Sequence, residues 1–143
     1  MKEELDKKLV KAFPLLYSDR DAPMQSAAMC WGFACSDGWF DIIWDLSSKL
    51  EPIIQKFIDE NQDTELYPKA SQVKEKFGGL RFYMTCGADE IFDLIDEAEA
   101  LSYTTCEECG KPGEVRPGGW IHTHCDYCHE NWDKIRSKRW EEE

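Results

Sequence analysis

Four cysteines near the end of this 143-residue chain carry its clearest chemistry. Cys106 and Cys109, then Cys125 and Cys128, stand in the run CEECGKPGEVRPGGWIHTHCDYC, with fifteen residues between the pairs. A Cys-x-x-Cys turn presents two thiolates to one ion, and structural zinc takes four ligands in a tetrahedron. Gly110 follows the first pair, where a knuckle needs a residue free of Cβ constraint. The spacing predicts one structural Zn2+ held by Cys106, Cys109, Cys125 and Cys128. Four thiolates close the site and leave no position for water, so such a centre stabilises a fold and hydrolyses nothing. The chain has seven cysteines, an odd number, and a reducing compartment disfavours disulfides. Cys30 and Cys35 have four residues between them, wider than a knuckle, and are expected to be buried apolar thiols.

Other readings of the same residues are weaker. A zinc deaminase needs His-x-Glu and a proline before its Cys-x-x-Cys. The chain has no His-x-Glu, and Thr105 and His124 precede the two pairs. A His-Asn-His nuclease would draw on His122, His124 and Asn131, but it needs a wider gap between the cysteine pairs to hold its active hairpin, and it stays a minor alternative. Rubredoxin-like iron would want a glycine after each pair, and CDYCHE lacks one. The histidines are expected to support the ligands or lie on the surface, with His129 placed to tune or replace one.

Charge supplies the second feature. Twenty-nine acids face seventeen bases, a formal net charge of −12. Such a field repels nucleic acid and anionic membrane and favours a basic partner. From Gly87 through Glu108 there are acids and no base. Asp89, Glu90, Asp93, Asp96, Glu97 and Glu99 surround a stripe of Ile91, Leu94, Ile95, Ala98 and Leu101, so this segment reads as a helix with acidic outer faces. Those six acids are the candidate partner-binding residues. The opposing cations, Lys134, Arg136, Lys138 and Arg139, follow the last cysteine.

The elements that must position these groups are also legible. Residues 3–13 read as a short amphipathic helix stopped by Pro14, and 14–38 as irregular. Trp39, Ile42, Ile43, Leu46, Leu50, Ile53, Ile54 and Phe57 recur at helical spacing, with Ser36 or Asp37 placed to cap the start. Pro52 should kink that helix or open a second one. SQVKEKFGGLRFYMT reads as a β-hairpin turning at Gly78-Gly79. EVR and WIHTH read as two strands joined at Pro117-Gly118-Gly119, which would return the second knuckle beside the first and make a zinc ribbon. The residues after Cys128 read as a helix. The expected architecture is α+β, with an acidic body over 1–103 and a zinc-ribbon subdomain with a C-terminal helix over 104–143. No run approaches the roughly 18 apolar residues a membrane span needs, and the charged, amphipathic start is no signal peptide, so a cytoplasmic location is expected.

The segments SDGWFDIIWDL, QVKEKFGGLRFYM and the four-cysteine ribbon resemble small phage and prophage proteins. The resemblance covers about two thirds of the chain, and it implies a host-takeover or counter-defence factor acting in a bacterial cell. Small acidic phage proteins include anti-CRISPR proteins that bind Cas9, which holds its nucleic acids in positively charged channels. The expected function is therefore non-enzymatic: an inhibitor that binds a basic host effector, specifically Cas9, without binding duplex DNA itself. The alternative is a zinc-ribbon adaptor in transcription or replication that uses its hairpin and the Arg136 to Arg139 cluster on nucleic acid.

Overall fold

The longest apolar stripe forms the longest helix. In the computed structural model, which describes residues 1–62 and 66–142, α2 spans Phe40–Asn61 and buries Ile42, Ile43, Leu46, Leu50 and Ile54. Glu143, last of the terminal acids, lies outside the described residues. One helix runs through Pro52 instead of opening anew there. Beside that proline, the Glu51 carboxylate accepts the backbone amides of Leu15 and Leu16, both at 2.9 Å. It thus pairs two donors left by the chain as it leaves α1 (Glu3–Ala12) at Pro14. Neither Ser36 nor Asp37 caps α2, contrary to expectation. Ser36 Oγ donates to Glu108 and Asp37 Oδ1 accepts the Lys2 amide, so a 3-10 turn over Asp37–Trp39 leads into the helix.

Three strands form the main sheet in the order β1-β2-β3: β1 (Phe33–Ala34), β2 (Ala70–Lys76) and β3 (Gly79–Met84). β1 lies in the stretch expected to be irregular and pairs parallel with β2, Phe33 opposite Val73. Two residues carry no alternation for a sequence pattern to show. β2 and β3 make the expected hairpin, but Lys76 pairs with Gly79, so the turn is Phe77-Gly78. Both residues have positive φ, 54° and 82°, the combination a two-residue type I′ turn requires. Gly79 sits in the strand for a different reason. A Cβ there would lie 2.4 Å from the Tyr103 hydroxyl oxygen.

α3 (Asp89–Ser102) packs on α2 and β3 through Ile91, Ile95 and Ala98. Leu101, expected in this stripe, is 53% exposed. Ser102 takes a buried place beside it, and its hydroxyl accepts the Leu80 amide from β3. The core between these layers includes Leu9, Leu16, Tyr17, Met29, Trp39, Ile43 and Val73, each fully buried and each contributing about 1.5–3 kcal/mol by the apolar area it removes from water. Tyr17 packs edge-on to Phe33 and Phe82, and its hydroxyl meets Ser47 Oγ at 2.6 Å. Cys35 is buried as expected, whereas Cys30 is half-buried.

The C-terminal region adds β4 (Glu114–Arg116) paired antiparallel with β5 (His122–His124), then α4 (Asp126–Glu130) and α5 (Trp132–Glu142). The whole is α+β, as the patterns predict. Among the described residues no helix is long and apolar enough to cross a membrane.

Candidate metal centre

The first knuckle is a backbone device. The Cys106 amide donates to Lys111 O at 2.8 Å, and the Gly110 amide to Cys106 O at 2.9 Å. Closing that tight loop requires φ of 79° at Gly110, which a residue without Cβ adopts freely. The second knuckle opens α4, with Cys125 as its cap: Cys125 Sγ accepts the Cys128 amide at 3.4 Å and Cys125 O accepts the His129 amide at 3.0 Å. The β4–β5 ladder brings the two knuckles together. Arg116 fastens it by donating to His124 O and pairing with Glu114 and Asp126, at 2.9 and 2.8 Å.

The sulfurs of Cys106, Cys109, Cys125 and Cys128 consequently lie within 4.8 Å of one another, and Cys109 and Cys125 are 3.6 Å apart. A tetrahedron with Zn–S near 2.3 Å has an edge of about 3.8 Å, so the four donors fit one metal ion of that size. Their ionisation has the matching character. Burial opposes charge on Cys125, but hydrogen bonds from the Cys128 amide and neighbouring thiols outweigh it and hold this thiol down at about 7. Burial pushes the thiols of Cys109 and Cys128 up. A bound divalent cation would displace the remaining thiol protons, since the ligand form is the thiolate.

The ribbon is fixed to the body at two places that the sequence reading did not connect. The Gly38 amide donates to Glu107 O at 2.7 Å, Ser36 N donates to the Glu107 carboxylate at 2.9 Å, and the Trp39 indole nitrogen donates to Thr105 O at 2.9 Å. On the other side, Thr123 Oγ1 donates to Gly78 O at 2.6 Å. The segments SDGW and KFGG thus supply contacts between the body and the ribbon.

The histidines do not reach the sulfur cluster. His122 and His124 are buried against Trp120 and Trp132, with the His124 and Trp132 rings 4.7 Å apart. Burial, then the neighbouring histidine, lowers His124 to about 4; burial also lowers His122. His122 Nε2 lies 3.3 Å from His129 Nδ1. Asn131, the third residue of the nuclease reading, donates its side-chain amide to Tyr127 O.

The acids expected to meet a partner are arrayed along α3. Asp89, Glu90, Asp93, Asp96 and Glu97 are exposed. Glu99 is half-buried and paired with Arg81, whose strand packs beneath the helix. Of the C-terminal cations, Arg136 pairs with Asp133 at 3.2 Å and Arg139 with Glu108. Glu107 is the buried acid of the region. Burial pushes its carboxyl up to about 7, partly offset by the Ser36 amide. The spacing of Glu107-Glu108 inside the first Cys-x-x-Cys was the one available signal for it.

Fold and site together define a class: an α+β protein with a C-terminal four-cysteine cluster that could hold a metal ion. No family model, curated protein or solved structure matches the chain.

Proposed function

We propose that the chain is a non-enzymatic inhibitor that docks on a basic surface of a host effector protein, with one zinc closing its ribbon. The observation that carries this reading is the outer face of α3. Asp89, Glu90, Asp93, Asp96 and Glu97 are all exposed, and among the described residues none of them has an ion-pair partner. The whole molecule adds a charge of −12 behind that face. Complementary charge speeds encounter and selects partners, and its effect weakens as salt rises. Zinc is the metal that four thiolates with two Cys-x-x-Cys turns favour. It leaves no open coordination position, in keeping with a role in stability. Pairing of Arg136 and Arg139 within the chain leaves fewer cations for phosphate contacts, which favours a protein partner over the nucleic-acid adaptor reading.

The resemblance to phage proteins makes Cas9 the specific partner to test. Wild type and an Asp93→Lys, Asp96→Lys, Glu97→Lys variant are compared by Cas9 pull-down and DNA-cleavage assay at matched metal content. Wild type is expected to bind and inhibit, with affinity falling as salt rises, and the variant to lose at least tenfold in affinity. Equal inhibition by the variant would reduce the α3 face to a solvated surface. Failure of wild type to bind any Cas9, together with a tight salt-sensitive gel shift on DNA, would favour the adaptor.

A further inference from the structure

A cleft of ≈ 570 Å³ lies where the ribbon meets the body. Asp37, Glu75, Glu107 and Glu108 line it beside the rings of Trp120 and Trp132. Acids alone would make only a solvated patch, but two further observations mark this one. Glu107 is 8% exposed, with its carboxylate held by the Ser36 amide at 2.9 Å. The second observation is that the chain already places a cation there. Arg139 reaches in from α5, donates through Nη2 to Ser36 Oγ at 2.8 Å and to the Glu108 carboxylate, and sets its guanidinium carbon 5.5 Å from the centre of the Trp132 ring.

From this the geometry points to an arginine-binding site: the cleft receives an arginine side chain of the basic partner, and in the free protein Arg139 occupies it. This inference rests on the proposed basic partner and places a contact away from α3. The chemistry is that of guanidinium recognition. An aromatic face stacks on the planar cation and a carboxylate accepts its fork of donors, a combination that a lysine ammonium fits less well. Trp120 is 51% exposed with its ring centre 5.0 Å from that of Trp132, so aromatic surface remains open beside the one Arg139 covers. Arg139 is a displaceable occupant. It engages the site through one nitrogen, and its side chain stays 45% exposed although Trp132 at the start of α5 packs against His124. Lys2 is the other cationic side chain at the cleft, 3.9 Å from Asp37, and the Met1 amino group there donates to Cys35 O, so the carboxylates still outnumber the cationic side chains. A site whose competent state is only partly populated binds with affinity reduced by that fraction.

The test uses the full-length, metal-loaded protein and the probe acetyl-Gly-Arg-Gly-amide, with acetyl-Gly-Lys-Gly-amide as control. Binding is followed by the indole N–H signals of Trp120 and Trp132, assigned with Trp120→Phe and Trp132→Phe. Arg139→Ala should bind the arginine probe at least tenfold tighter than wild type and prefer it to the lysine probe. Adding Glu108→Gln to Arg139→Ala should abolish that gain with the melting temperature unchanged. An unchanged or weaker affinity in Arg139→Ala overturns the inference, as does equal response to both probes. The Asp93, Asp96 and Glu97 reversal separates the two ideas. If that variant binds the probe normally yet fails to bind the effector, the α3 reading and the cleft both stand. If it binds the effector as wild type does while Arg139→Ala and Glu108→Gln alter effector binding, the cleft stands without α3. If neither set of changes affects the effector, the cleft is no partner site.

Discussion

Gly38 gives the sharpest test of how the four-cysteine ribbon is held. A Cβ at this position would lie 2.3 Å from Cys106 O and 2.4 Å from Glu107 O. Ordinary contacts begin near 3.4 Å, so something must move by about 1 Å. The atoms in the way are backbone, and they belong to the first knuckle. Gly38→Ala therefore forces apart the Gly38–Glu107 hydrogen bond and strains the Trp39–Thr105 bond beside it. Overpacking costs roughly 1–3 kcal/mol and a lost hydrogen bond about 1 kcal/mol, for a total of about 3 kcal/mol. For a chain of this length that is a fall of about 10 °C in melting temperature. The sign is informative, because Gly→Ala at a compatible site stabilises by about 0.4–1 kcal/mol through the unfolded state. Gly119→Ala is the control, since a Cβ there meets nothing within 4 Å. Thermal unfolding by circular dichroism at equal metal loading should show a large fall for Gly38→Ala and almost none for Gly119→Ala. A Gly38→Ala protein that melts at or above wild type would refute the account of ribbon docking.

Two further outcomes follow from the same geometry. Elemental analysis of purified protein should find one zinc per chain, and Cys106→Ser or Cys125→Ser should abolish it and lower the melting temperature sharply, because metal binding contributes to the folding free energy; zinc-free wild type, or a variant of unchanged stability, contradicts the assignment. Phe77→Asn should stabilise the β2–β3 hairpin by about 1 kcal/mol, read as a higher denaturant midpoint at constant slope. Phe77 is 64% exposed and holds a left-handed conformation that costs an ordinary L-residue roughly 1–2 kcal/mol and asparagine less.

Local pattern reached much of this fold. The stripes of α2 and α3 follow helical spacing, the cysteine pairs state their own ligand arithmetic, and both hairpins announce themselves by glycine between β-rich runs. What escaped depends on contacts made across the chain. β1 is too short to alternate and exists because Val73 and Lys74 offer an edge to it. Ser36 and Asp37 have the chemistry of helix caps, but Glu108 and Lys2 compete for them and win. Gly79 looked like half of a turn, whereas the Tyr103 ring dictates it. The cleft draws on residues near 37, 75, 107, 120 and 139, so no window of sequence contains it. Arg139 illustrates the same point: it reads as part of a basic cluster and folds back as a partner for Glu108.

The hydrogen bond from Trp39 to Thr105 spans 66 residues of sequence, and the one from Thr123 to Gly78 spans 45. During synthesis the body's largest buried side chain must wait for its acceptor until the cysteine region has left the ribosome. Until then the loop around Gly38 and the turn at Gly78 lie open to proteases. Docking of the cysteine region is consequently a late event in folding, and it closes the body around Trp39.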